Sequence, residues 1–327
     1  MRNEAGTFPL SHFPLRMHRE SGGRESARGS GSERHFSQKK GSERTGPGRI
    51  KKDSANLMGF LAVYVQEGFG DVEEEMRRIK DTEYMNYISW ARENSANRVY
   101  PCSIAEGFQS GDIYVNEGSD VEAVFFWHYC GFGYITGNAS DTFLNDIYSE
   151  MISGNNDKRL VLITSDDHVT AFFRNRNVLM ESRAEYFYPH QKGSDFADGG
   201  AFRIVQITRE NVSKIEGRII PSFSWESSEQ FLKEGFGYIA LDQKRVCAVA
   251  FSAAVSSDEI DIGVETHEDY RRKGLAVLLA SRMCEHIISI GKRPVWAHSI
   301  LNHGSKNTAL KCGFVQDRIN TVIRKKN

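Results

Sequence analysis

Between Glu259 and Thr266 apolar and polar residues alternate with period two. Ile260, Ile262 and Val264 fall on one face, and Glu259, Asp261 and Glu265 on the other, with Gly263 between them. That is the pattern of a half-buried strand. From Leu275 the spacing changes. Leu275, Leu278, Leu279, Met283, Ile287 and Ile290 recur at helical intervals up to Gly291, which suits the position just past a helix end. Elsewhere, residues 71–94 read as helical, with Met76, Ile79, Tyr84, Tyr87 and Ile88 apolar. Residues 121–129, 160–164 and 179–188 read as strands. Ser140 and Asp141 suit the start of a helix carrying Phe143, Leu144, Ile147, Tyr148 and Met151, and 166–175 reads as a further helix. Past Ala201, short helices are expected over 211–217 and 225–233, the latter capped by Ser224 or Ser227. A hairpin through 242–245 joins strands 238–241 and 246–252.

The joint between the alternating strand and the long helix holds Arg271-Arg272-Lys273-Gly274-Leu275-Ala276. A turn that ends on Gly and opens a helix aims several backbone N–H groups at one spot, where the helix dipole is positive. Three cations surround that spot, which makes it a pyrophosphate cradle. In a loop alone, Arg-Lys-Gly is an ordinary solvated turn; the strand-to-helix setting argues for the cradle. Neither G-x-G-x-x-G nor G-x-x-x-x-G-K-[ST] is present at this joint.

The segment resembles the acetyl-CoA motif Q/R-x-x-G-x-G/A of the GCN5-related N-acetyltransferases (GNAT). Arg271 fills its first position, Gly274 its fourth and Ala276 its sixth. A second block follows. Residues 294–298 form a strand, Asn302 and Ser305 open a helix, and Lys311, Gly313 and Phe314 close it, similar to the family's N-x-x-S and K-x-G-F pattern. The Phe231-Leu232, Gly235-Phe236-Gly237-Tyr238, Gly263-Val264-Glu265-Thr266-His267 and Trp296 positions resemble a subgroup typified by zwittermicin A resistance acetyltransferases, as does Trp127-His128-Tyr129-Cys130-Gly131-Phe132 in the first half.

The resemblance implies a mixed α/β fold with a central sheet whose strands splay, and acetyl-CoA as acetyl donor. It implies cofactor contacts at Val264, Glu265, Thr266, Arg271, Arg272, Lys273, Gly274, Leu275, Ala276, Asn302 and Ser305. It places the proton acceptor on the strand of Glu259, Asp261 and Glu265, with Glu265 first because it lies nearest the thioester and Asp261 second. Each also reads as a solvated strand face. Many members place a Tyr on the last helix as general acid; Ala309 stands here. The thiolate then leaves unassisted, its pKa near ~8.5, or His298, Ser299 or His303 substitutes. The competing roles are structural for His298 and helix capping for Ser305.

The strand–helix–strand order of 160–188 resembles that of 294–324, which implies a tandem of a degenerate half, 58–198, and an intact half, 199–327. Gly131 to Gly137 stands where a cofactor loop belongs in the first half but lacks Arg and Lys. That half is therefore expected to wall the acceptor cleft without binding CoA.

Composition adds little to the core and much to the ends. The chain has 327 residues and a net charge of −1, which demands no nucleic-acid partner. Residues 1–57 hold 12 Lys and Arg against 6 Asp and Glu, with almost no aliphatic residues. Such a segment cannot bury a core; it reads as a disordered basic tail, or as residues upstream of a start at Met58. Its five glutamates argue against a transit peptide. Five cysteines, none spaced as C-x-x-C, fit reduced thiols in the cytoplasm and no zinc site. No apolar run reaches the ~20 residues of a membrane span. The expected activity is acetyl transfer from acetyl-CoA to a primary amine of a small molecule. The alternatives are a CoA-responsive regulatory protein without turnover and an enzyme acting on protein or peptide amines. Monomer and homodimer both stay open.

Overall fold

The order of elements repeats once along the chain. β1 (Met76–Arg78) is followed by a 3-10 turn, Asp81–Tyr87, and by α1 (Ile88–Arg92) and α2 (Val99–Ala105). Then come β2 (Gly111–Asn116), β3 (Ala123–His128), β4 (Phe132–Gly137), α3 (Asp141–Ser153), β5 (Val161–Thr164), α4 (Asp167–Arg174) and β6 (Val178–Phe187). The second series begins with β7 (Arg203–Gln206), two 3-10 turns, Val212–Lys214 and Pro221–Phe223, and α5 (Ser228–Glu234). It continues with β8 (Gly237–Asp242), β9 (Arg245–Val255), β10 (Glu259–Thr266), α6 (Leu275–Ser289), β11 (Arg293–Ser299), α7 (His303–Lys311) and β12 (Val315–Lys325). The computed structural model describes residues 76–153, 158–189 and 200–326, all within one compact unit, Phe69–Asn327. The expected tail, 1–57, lies outside the described residues.

Local chemistry accounts for most boundaries. Asp166 and Ser227 accept hydrogen bonds from Val169 and Gln230 N–H and so cap α4 and α5. Ser140 Oγ accepts from Phe143 N–H at the start of α3. Gly291, at φ +76°, ends the turn after α6. Three expectations change, the first being the helix expected over 211–217, which is only the 3-10 turn Val212–Lys214. Within 71–94, Met76–Arg78 pairs with β2 as an edge strand, Asp81–Tyr87 is a 3-10 turn and Ile88–Arg92 is α1, while 71–75 lies outside the described residues. Here sheet pairing overrides helical spacing. The helix expected from Trp225 starts at Ser228, because Trp225 is buried and its Nε1–H donates to Ser252 O.

All twelve described strands form one sheet, in the order β1-β2-β3-β4-β5-β12-β6-β11-β10-β9-β8-β7. The order reads as a palindrome of the two series, with their last strands exchanged. β12 pairs antiparallel with β5 of the first series, and β6 pairs antiparallel with β11 of the second. β6 and β12 pair with each other along ten positions, from Val178 to Phe187 on β6. In α6, Leu279, Met283 and Ile287 are fully buried against β8–β11. On the other face α1 and α2 cover β2–β4 and the sheet's centre.

Candidate acetyl-transfer site

β10 and β11 run parallel for only three pairs, Glu259–Arg293, Ile260–Pro294 and Asp261–Val295, and then part. On its other edge β10 stays paired to β9 through Thr266. His267 N–H donates to Cys247 O on the β9 side. Antiparallel alternation then points the N–H groups of Val264 and Thr266 into the gap and that of Glu265 toward β9. Backbone donors therefore face an opening with no strand to satisfy them. The pairing irregularity opposite Asp261 lies on β9, at Ala253, so the alternation of β10 is undisturbed.

The turn after β10 is held from outside. Tyr270 donates to Asp242 at 3.0 Å, and Arg245 reaches His267 and Asp269. Arg272 has φ +63° and Gly274 φ +81°. An arginine in the left-handed region is backbone strain at the spot where ligand binding is expected. Gly274 is the residue before α6. No side chain caps that helix, and no acidic residue stands in its first turn. The N–H groups of Leu275, Ala276 and Val277 have no intrahelical partner; Leu278 N–H returns to Gly274 O. Arg271, Arg272 and Lys273 flank them, with Lys273 Nζ 4.6 Å from the Tyr270 ring centre. The whole forms an electropositive end aimed at an anion.

Across the gap, α7 begins with Asn302, whose Oδ1 accepts from Ser305 N–H at 3.0 Å. Ser305 Oγ accepts from Trp296 Nε1–H at 3.0 Å, tying α7 to β11. Both residues expected at the cofactor thus also hold the helix in place. His298 is buried on the same face as Trp296. Its Nδ1 lies 2.8 Å from Ser299 O and must donate, so Nε2 accepts from Tyr186 OH at 3.1 Å. Both ring nitrogens are engaged, and burial pushes the imidazole pKa down. Ala309 is fully buried and fills the position of the absent Tyr.

The three carboxylates of β10 have different surroundings. Glu259 accepts from Arg98 at 2.7 Å and Arg293 at 2.9 Å. It stands at the far end of β10, beside a cavity of about 350 Å³ also lined by Glu185 and Arg318. That cavity is remote from the α6 turn, and Glu259 there is an ionic strut. Asp261 is 4% exposed; its Oδ2 accepts from Tyr100 OH at 2.7 Å and its Oδ1 has no partner. Burial pushes its pKa up, and nearby Arg183 opposes the rise. Glu265 is half-buried at the gap, and its Oε2 accepts from Ile219 N–H at 3.1 Å. Of the three it alone combines access with a position beside the free N–H groups.

Four polar residues of this face, Tyr100, Tyr134, Arg183 and Glu185, are not singled out by the sequence. Arg183 and Glu185 sit on an alternating strand that reads as half-solvated. Only the packing of residues 92–98 over the sheet reveals Glu185 as an interior group, with Arg183 half-buried on the same face. Glu185 is 8% exposed, and burial pushes its carboxyl up to about 8.

The first series has the corresponding gap, filled differently. β4 and β5 pair only at Phe132–Val161 and Gly133–Leu162. Asn94 Nδ2 bonds Ile135 O and Thr136 Oγ1, Ser95 Oγ meets Ser165 Oγ at 2.6 Å, and Asn320 Nδ2 holds Ala96 O. The loop of Asn94 to Ala96 bridges the parted strand ends. Gly131 to Gly137 is mainly strand β4, so the connection to α3 is only Asn138, Ala139 and Ser140. It holds no cation, and Asp141 in the first turn of α3 opposes an anion.

The GNAT acetyltransferase family model matches residues 92–323. The uncharacterized N-acetyltransferase YdfB of Bacillus subtilis (strain 168) is 32% identical over 90 residues, which are 28% of this chain and 34% of that protein. The chain thus spans about a third of the length of that curated relative. The structure of a GCN5-related N-acetyltransferase-like protein from Streptococcus suis 89/1591 superposes with a TM-score of 0.57 at 21% identity, covering 76% of this chain and 100% of that one. A tandem GNAT protein from the clavulanic acid biosynthesis pathway gives 0.55 at 10% identity, over 76% and 97%. These likenesses identify the fold as the GNAT fold. With the family model spanning both series of elements, the chain belongs to the GNAT acetyltransferase family.

Proposed function

We propose that the protein transfers an acetyl group from acetyl-CoA to a primary amine of a small molecule. The observation that carries this is the parting of β10 and β11 beside the uncapped, cation-flanked start of α6. The N–H groups of Leu275, Ala276 and Val277, with Arg271, Arg272 and Lys273, suit the pyrophosphate. Asn302 and Ser305 lie on the opposite side of the pantetheine path. The N–H groups of Val264 and Thr266 suit the thioester carbonyl, where fixed dipoles stabilise developing negative charge without reorganising.

The amine must be neutral to attack. Glu265 is the group placed to take the ammonium proton, and Asp261 is its second. The N–C bond forms as the C–S bond breaks, the proton left on the acylated nitrogen passes through solvent to the departing thiolate, and no general acid comes from position 309. His298, with both nitrogens occupied, holds β11 against β6. We further place the chain in the subgroup resembling zwittermicin A resistance acetyltransferases. We assign its intact half to 199–327 and its degenerate half to 58–198. Support comes from the bridged gap of β4 and β5 and the cation-free connection into α3.

Thiol release from acetyl-CoA, followed across a panel of small amines, tests the function. Amine-dependent release is expected. Tight acetyl-CoA binding by calorimetry without release from any amine would instead identify a regulatory protein.

A further inference from the structure

Arg183 is a guanidinium without a bonded partner among the described residues. Among the described residues it forms no ion pair and donates no hydrogen bond, and its Nε is buried with no acceptor. It lies over the Phe132 ring at 5.1 Å, and Tyr100, Tyr134, Asp261 and Glu185 are within electrostatic reach. Of the two carboxyls, Asp261 gives Oδ2 to Tyr100 and leaves Oδ1 unbonded, acting on Arg183 through space only, and Glu185 has its pKa raised by burial. A buried Nε–H with no acceptor is costly, the half-buried guanidinium around it is open to a ligand, and arginine is the side chain built to grip a planar anion with two parallel bonds.

Its position gives the anion a setting. Arg183 pairs with Ser299, the last residue of β11, on the face that carries Asp261 and Glu265. A continuous wall joins Arg183 to Glu265. Glu265 holds Ile219 N–H, Phe223 follows in the next 3-10 turn, and Phe223 packs edge-on against Phe132 at 6.0 Å, under Arg183. Arg159 lies over the outer face of Phe223 at 5.5 Å, within electrostatic reach of Arg218. Glu265 stands at one end of the wall and Arg183 at the other. The strand exchange puts Arg183 there, since β6 belongs to the first series and β11 to the second.

We propose that the acceptor is an amino acid-like zwitterion: its amine lies at Glu265 and its carboxylate on Arg183. The proposal rests on the transferase reading above. The test compares ω-amino acids and α-amino acids of graded length with their carboxamides, at saturating acetyl-CoA, by kcat/KM for thiol release. The acid is expected to exceed its amide at least tenfold at the fitting length. Arg183→Gln should collapse that ratio toward one, and Arg183→Lys should restore part of it. Equal turnover of acids and amides by the unmodified protein overturns the proposal and leaves the transferase reading standing. So does an unchanged ratio in Arg183→Gln. Because the ratio in the unmodified protein decides on its own, a variant that fails to fold does not rescue the idea. Acetyl-CoA binding with no release from any amine sinks the transferase reading, and this inference with it.

Discussion

Glu265 and Glu185 are both glutamates at the sheet's centre, yet their surroundings assign them opposite work. Glu265 accepts a single backbone hydrogen bond and keeps access to the gap. A Gln there still accepts from Ile219 N–H, so Glu265→Gln isolates the proton transfer. Its kcat should fall roughly 10²-fold, the scale of general-base loss, and recover at high pH, where the amine is already neutral. A loss that persists at every pH refutes the assignment. If Asp261→Asn shows the recoverable loss instead, the proton goes to Asp261. Glu185 is neutralised by burial, its pKa raised to about 8 from 4.5. Between those values the unfolded chain releases a proton that the folded one keeps, so stability falls as pH rises through that window. Glu185→Gln removes the penalty. Its Tm should exceed that of the unmodified protein by several degrees at pH 8 and by little at pH 4.5; the reverse order would show that Glu185 is ionised and paired in the fold.

At the scale of elements, the turn into α6 was the most legible part of the molecule. Arg271 to Ala276 marks the joint where we propose the anion site, because its residue types suit a turn that opens an uncapped helix. The long periodic stretches of β10 and α6 likewise give their own boundaries. Less legible were features created by contact. The edge strand Met76–Arg78 exists only because β2 offers a partner, and the bridging of the first gap by Asn94 rests on bonds to β4 that no spacing encodes. The cluster around Arg183 was hidden because alternation cannot tell a solvated face from one covered by a helix. For the turn itself, a Cβ on Gly274 would meet nothing within 4 Å, but φ is +81°, so the strain of a replacement lies in the backbone. Gly274→Asp therefore adds strain and a negative charge at the anion site. Acetyl-CoA affinity should fall at least tenfold, about 1.4 kcal/mol, with the fold retained. Unchanged affinity by calorimetry would remove the pyrophosphate from this turn.

For the whole molecule, the exchange of β6 and β12 means that neither series completes its own half of the sheet. β6 lies between β11 and β12, and removing either fragment strips a central strand of both neighbours. Fragments 58–198 and 199–327 should each be insoluble or unfolded when produced alone, and should co-purify as one folded particle when produced together. A fragment 199–327 that is monomeric, folded and binds acetyl-CoA would show that the exchange is dispensable.

The same merger governs how the protein meets its neighbours in a crowded solution. Two separate sheets would present four open edges, each a row of unpaired backbone groups ready to recruit another chain. Among the described residues, one twelve-stranded sheet presents two. Its outermost strands, β1 and β7, have three and four residues, and both carry arginine. Short, charged borders make poor templates for further strands, so a sheet of this width can stay a discrete particle instead of growing.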